Sequence, residues 1–278
     1  MMNLQSVGWK SEPKTFGYDW KDVVLYALGI GAKADELDYV YEGRGPKVIP
    51  TFAVVPAIEP LFACLQQANI PLDAVVHGAQ VVRAFAPAPS QGKLSTFAEI
   101  LGIYDLKRFA SLVLRTESCV VDGPKVFETE WTIIVRGGGG FGGSPPPKHE
   151  ETASARDREP DFRHEEATLP EQALLYRLSG DINPLHANPE VARAAGFDRP
   201  ILHGLATFGF AARAICKHAC EGHASRLESI RGQFRKPVFP GDTLVTQGWI
   251  TDDRVVFQVS VKERDEIVLA NAAATIRA

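Results

Sequence analysis

Only four cysteines, Cys64, Cys119, Cys216 and Cys220, occur in 278 residues. That is too few for a disulfide-framed secreted scaffold and fits a reducing compartment. Cys216 and Cys220 stand four apart with His218 between them. A structural zinc site needs four ligands, and no second cluster supplies the rest, so no metal is expected and buried helical thiols are the default. Positive charge is not in surplus either. Thirty Lys and Arg face 34 Asp and Glu, a net charge of −4, which argues against non-specific binding of nucleic acid. A local basic cluster still suffices for a small phosphorylated ligand. No apolar run reaches the ~18 residues needed to span a bilayer, so no membrane insertion is expected. Residues 1–9 lack the apolar core of a signal peptide, and the final Ile276-Arg277-Ala278 is not the Ser-Lys-Leu address. A serine elbow of the G-x-S-x-G type is also missing.

What is present describes a globular chain, with 45% hydrophobic and 23% charged residues. Its length allows one large domain or two fused smaller ones. A low-complexity break at 137–160 begins with glycines, passes through Pro145-Pro146-Pro147 and ends in a charged stretch. Such composition reads as a surface linker. The expected division is 1–143, a linker at 144–160, and 161–278. The halves echo one another: Leu175-Tyr176-Arg177-Leu178 matches Leu25-Tyr26-Ala27-Leu28 at an offset of about 150. Strand-like runs follow in each half, at Val75-Val76, 112–114 and 131–135, then at 244–246, 255–259 and 267–269.

The best helix begins at Gly204, where Leu205, Phe208, Ala212, Ile215 and Ala219 recur at three- and four-residue steps. Small residues fill the rest of its surface, as in a buried helix. Residues 52–67 are its expected counterpart in the first half, interrupted by Pro56 and Pro60. One buried helix with several antiparallel strands predicts an α+β fold, a sheet wrapped around a helix.

The chemistry-bearing stretch runs from Tyr176 through Gly180, Asp181, Asn183 and Pro184 to His186. On one continuous helix a five-residue spacing would put Asp181 and His186 about 140° apart. Gly180 and Pro184 break that helix, and Asn183 suits the cap of a new one. The turn lets carboxylate and imidazole converge as an acid–base pair on one water. Read alone, the same residues also fit an ordinary turn, a cap and a half-buried histidine. Pro200-Ile201-Leu202-His203-Gly204 then leads straight into the buried helix, whose free N–H groups can hold an oxyanion. His203 suits a positioning or structural role. Gly137, Gly139 and Gly142 match G-x-G-x-x-G, but prolines follow where the dinucleotide fold needs a helix.

The runs Y-R-L-S-G-D-I-N-P-L-H and G-F-D-R-P-I-L-H-G-L-A-T-F-G-F resemble the MaoC-like hydratases, most of all the hydratase 2 unit of the peroxisomal multifunctional enzymes. Tyr26-Ala27-Leu28-Gly29, His77-Gly78, Gly140-Phe141-Gly142-Gly143 and 234–241 extend the likeness over nearly the whole chain. The resemblance implies a double hot-dog fold in which only the second unit keeps the catalytic motif, with Gly31 at the position equivalent to Asp181. It implies a catalytic group of Asp181, Asn183 and His186, with Gly204 as the thioester-binding position. His77, Gly78, Lys107 and Phe234 correspond to acyl-CoA contacts. Ala79 departs from the family's His-Gly-Glu-Gln run, which puts the first-unit contacts in question.

The activity so implied is cofactor-free, reversible hydration of trans-2-enoyl-CoA to (3R)-3-hydroxyacyl-CoA in fatty acid β-oxidation. The first unit would help form the acyl tunnel, and Arg235 and Lys236 would face the CoA phosphates or line a solvated edge. An acyl-CoA thioesterase, an acyl-carrier-protein dehydratase and a non-catalytic acyl-CoA binder are the rivals. The resemblance implies a peroxisomal home, with the cytoplasm as the alternative. A homodimer is compatible with open sheet edges. The dehydrogenase and lipid-carrier modules of many relatives are missing, so a stand-alone hydratase or a piece of a longer chain is expected.

Overall fold

A computed structural model describes residues 2–147 and 158–277. Most of the expected linker, 148–157, lies outside the described residues. The first half contains β1 (Lys14–Tyr18), α1 (Trp20–Gly29), α2 (Leu37–Val40) and α3 (Ile58–Gln67). Strands β2 (Val75–Ala84), β3 (Gly92–Leu106), β4 (Phe109–Val120) and β5 (Lys125–Arg136) follow. The second half contains β6 (Phe162–Ala167), α4 (Gln172–Tyr176), α5 (Pro189–Ala194) and α6 (Gly204–His218). It closes with β7 (Leu227–Phe234), β8 (Thr243–Thr251), β9 (Arg254–Val261) and β10 (Glu266–Ile276).

All ten strands form one sheet in the order β1-β3-β4-β5-β2-β7-β10-β9-β8-β6. Read outward from the centre, each half repeats the same strand order. The halves join where β2 pairs antiparallel with β7, from Ala79↔Gln233 to Arg83↔Ser229. The offset read from Tyr26 and Tyr176 therefore reflects a duplicated unit, and these two rings meet with centroids 6.1 Å apart. The expected strand runs fall within β2, β4, β5, β8, β9 and β10.

Helix α6 is the wrapped helix of the second unit, with every residue from Leu205 to Cys216 buried. The first-unit counterpart is broken. A 3-10 segment, Pro50–Val54, precedes α3, and Pro56 between them has no N–H to continue a helix. The units interlock tightly. A Cβ on Gly209 of α6 would lie 2.3 Å from Ile30, and one on Gly31 would lie 2.2 Å from Phe210. Gly31 also has φ +88°, so the turn equivalent to Asp181 has no space for a side chain. The first unit uses that turn for packing.

Polar contacts close the same seam. Arg213 of α6, almost fully buried, donates to Glu166, to Glu36 and to the Ile30 carbonyl. Buried Gln172 donates to the carbonyls of Leu28 and Gly29. The glycine run at 137–143 has a structural explanation as well. Gly140 and Gly142, at φ +82° and +80°, direct their N–H groups onto the Asp105 carboxylate. The protein's own anion thus fills that cradle. No helix among the described residues is long and apolar enough to cross a membrane.

Candidate active site

Helix α4 ends in a 3-10 turn, Arg177–Ser179, and Gly180 then reverses the chain at φ +119°. Asp181 follows at once, half-buried, and its Oδ1 accepts the N–H of Asn183 at 3.2 Å. The Asn183 Oδ1 accepts from Leu185 N at 3.0 Å and so caps the 3-10 segment Pro184–His186. The helix break and cap expected from Gly180, Asn183 and Pro184 are both present. Asn183 itself is exposed, and capping is the contact it makes.

His186 is 8% exposed, and its Nδ1–H donates to the Ile201 carbonyl at 2.9 Å. A carbonyl only accepts, so this bond fixes the tautomer and leaves the Nε2 lone pair free. His203, 1% exposed, donates from Nε2 to the backbone carbonyl of Asp181 at 3.0 Å. Its Nδ1 is enclosed with no partner among the described residues. One ligand-type atom from each of Asp181, His186 and His203 lies within 4.8 Å of the others. The imidazoles stack with centroids 3.7 Å apart and planes 27° from parallel. Nearly parallel rings aim their in-plane lone pairs along separate lines, so this trio suits proton transfer better than a shared metal.

Burial is the main cause that lowers the pKa of His186, against the raising effect of the Asp181 carboxylate. Burial, then the neighbouring His186, holds His203 well below the usual imidazole range. Both rings are neutral at neutral pH. Tyr176 closes the back of the site, its ring 4.9 Å from that of His203.

Gly204 is the first residue of α6, directly after His203. Among the described residues, no acceptor meets the N–H of Gly204 or Leu205. Free donors at the start of a 15-residue helix carry partial positive charge. A Cβ at Gly204 would sit 3.2 Å from the Phe234 ring. Phe234 lies 4.8 Å from the His77 ring, which stacks on Trp131 at 5.2 Å. His77 donates from Nε2 to the Ala79 carbonyl, and its pKa is pushed down to about 4 by burial. Gly78 sits where the β2–β5 register slips, under Ile134.

The expected residues thus fall into three groups. Asp181, His186 and Gly204 meet around His203, and Phe234 and His77 form an aromatic wall beside Gly204. Lys107 stands apart: it is exposed in the β3–β4 turn at φ +67°, and its carbonyl presses on Gly139. Cys216 and Cys220 are free and buried, while His218 stacks on Phe162 and bonds His164. Sequence reasoning missed Trp131 and the Ile201 carbonyl, for which no local signal exists, while the positioning or structural role expected of His203 is compatible with its bond to the Asp181 carbonyl.

Two fused antiparallel units, each wrapped around a helix, define a double hot-dog protein. A *Mycobacterium tuberculosis* structure described as a double hotdog fold, Rv0216, superposes with a TM-score of 0.62 at 15% identity over 98% of this chain and 96% of that one. Residues 151–272 match the MaoC like domain and 16–137 match the MFE-2 hydratase 2 N-terminal domain. The chain is 40% identical to the peroxisomal enoyl-CoA hydratase 2 of *Arabidopsis thaliana*, over 93% of this chain and 90% of that protein. It is 42% identical to 3-hydroxyacyl-thioester dehydratase Y of *M. tuberculosis*, over 94% and 92%. A MaoC-like dehydratase from *Phytophthora capsici* superposes with a TM-score of 0.87 at 30% identity, over 99% and 97% of the two chains. The chain belongs to the MaoC-like hydratase family, with the two-unit organisation of the hydratase 2 proteins.

Proposed function

We propose that the protein adds water reversibly across the double bond of trans-2-enoyl-CoA to give (3R)-3-hydroxyacyl-CoA, in fatty acid metabolism. One observation carries this reading: Asp181 and neutral His186 converge beside a helix start whose Gly204 and Leu205 N–H groups meet no acceptor among the described residues. The thioester carbonyl accepts from the Gly204 N–H, which draws electrons from C3 and stabilises the enolate-like oxyanion. A water lies between the Asp181 carboxylate and His186 Nε2. As its oxygen bonds C3, one proton passes to Nε2, and the imidazolium then returns a proton to C2 on the same face. The sum is one water added syn, and dehydration retraces the path. His203 holds the Asp181 backbone and packs against His186, so it positions the pair.

Phe234 and His77 wall the acyl side, and exposed Arg235 and Lys236 face the CoA phosphates. Asn183 acts through its cap, and Lys107 is assigned no substrate contact. The division at 144–160 separates a substrate-shaping unit from a catalytic one. Names of two relatives, from *A. thaliana* and mouse, include the word peroxisomal, and a peroxisomal location is part of this proposal.

Hydration is tested against thioester hydrolysis by supplying trans-2-decenoyl-CoA and decanoyl-CoA in parallel. The hydratase consumes only the enoyl thioester and releases no free CoA thiol. Thiol release from the saturated substrate contradicts it.

A further inference from the structure

Arg177 lies one turn before the candidate acid–base pair, on the segment joining α4 to Gly180. Its Nη2 donates to the carbonyl of Ile182 at 3.0 Å, the residue between Asp181 and Asn183. Its Nε is enclosed and meets no acceptor among the described residues. The side chain also lines an open groove of about 600 Å³ with Pro184, Asn188, Glu190 and Arg193, so one guanidinium spans the base of the Asp181–His186 loop. Ile182 itself is 69% exposed, so the loop at this point has no apolar anchor.

We propose that Arg177 is a positioning residue for the hydration reaction, clamping the loop that presents Asp181 and His186 and setting the charge around His186. This rests on the hydratase reading of the site. The clamp works through a single hydrogen bond, to the one carbonyl between the two acidic and capping side chains of the loop. Without it, among the described residues, the Asp181 turn keeps its own Asx contact, the Ile182 N–H bond to the Gly180 carbonyl and the His203 bond.

The charge acts on the same centre. Asp181 from its own loop and Arg177 from the turn after α4 act on His186, the neutral His203 ring just before α6 stacks on it, and the Tyr176 ring of α4 packs against His203. Glu190 and Arg193 of α5 stand beyond Arg177 in the groove. Asp181 alone would draw a proton onto His186, and the guanidinium opposes it. A base that must be free at neutral pH gains from that opposition.

The test compares wild type, Arg177→Gln and Arg177→Lys by two readouts. NMR titration of the His186 imidazole reports its pKa with or without turnover. Steady-state kinetics on trans-2-decenoyl-CoA reports kcat and KM across pH. The Gln variant is expected to raise the His186 pKa, move the acid limb of kcat to higher pH, and lower kcat about tenfold with KM within about twofold, a tenth of general acid–base catalysis at its weaker end. The Lys variant keeps the wild-type pKa but recovers only part of kcat, which separates the clamp from the charge. An unchanged His186 pKa in the Gln variant overturns the proposal, whatever the activity. So does an unchanged kcat with a raised KM, which would make Arg177 a ligand of the CoA phosphates. A raised pKa in a chain that hydrates nothing upholds the electrostatic arrangement and refutes the hydratase reading instead.

Discussion

His186 and His203 stack at 3.7 Å with each ring tied through one nitrogen to a backbone carbonyl, His186 to Ile201 and His203 to Asp181. The pairing is reciprocal: each histidine is anchored by the segment that carries the other. The Asp181 turn and the start of α6 are thereby fixed to one another, and the base is kept in one tautomer. Because burial lowers the pKa of His186, its free form persists below the ordinary histidine range. The acid limb of kcat/KM is expected below pH 6.5, with a plateau through neutrality. A limb above pH 6.5 in the pH–rate profile would contradict the neutral-base assignment.

Gly204 offers its N–H without a side chain in the way, and Phe234 already presses on the space above it. Gly204→Ala is expected to lower kcat/KM at least tenfold, against the ~10²–10³ lost when an oxyanion donor is removed outright. Alanine favours helices over glycine, so the Tm stays close to wild type. Steady-state kinetics and a thermal melt on one preparation check both statements.

His77 connects the site to stability. Folded, it takes up a proton only near pH 4, whereas in the unfolded chain it does so near 6.5. Between those values protons favour the unfolded chain, so its contribution is complete above pH 6.5 and is lost as pH falls toward 4. The shift corresponds to at most about 3 kcal/mol. Urea unfolding from pH 7 to 4 should show a shallower loss of stability for His77→Phe than for wild type.

Arg213 holds Glu166 and Glu36 across the seam between units. Arg213→Met removes the cation shared by the two carboxylates and, among the described residues, leaves Lys33 and His164 beside Glu166. The expected cost is about 3–5 kcal/mol of stability, the usual result of breaking a buried ion pair by removing one partner. A melt that shifts by no more than a surface substitution would show that the seam is held by packing alone.

The parts of this architecture that the sequence exposed are those written in consecutive residues. Gly180, Asn183 and Pro184 spell out the turn, and Gly204 marks the start of α6 by the small and apolar residues that follow. Four strands were missed. In β3 the buried face is Leu94, Thr96, Ala98 and Ile100, so small and hydroxyl side chains hide the alternation. Strand β7 buries Leu227, Ile230 and Gly232 in a mixed run because it sits at the junction of the two units. The helix expected at 52–67 is divided by Pro56 into a 3-10 segment and α3. The positioning or structural role of His203 was legible, but its partner is a backbone carbonyl 22 residues away, which no local pattern encodes. Gly31 carried half its meaning in the sequence: the repeat showed the missing acid, and only packing against Phe210 shows why none fits.

The most direct measurement follows the absorbance of the conjugated thioester when the purified protein meets trans-2-decenoyl-CoA, with chiral analysis of the product. Wild type is expected to consume the chromophore and yield the 3R alcohol. Asp181→Asn and His186→Ala should each lose at least about 10²-fold in kcat, the scale of a general acid–base group, with far-ultraviolet circular dichroism unchanged. Near-wild-type turnover by Asp181→Asn, or a 3S product, would contradict the account.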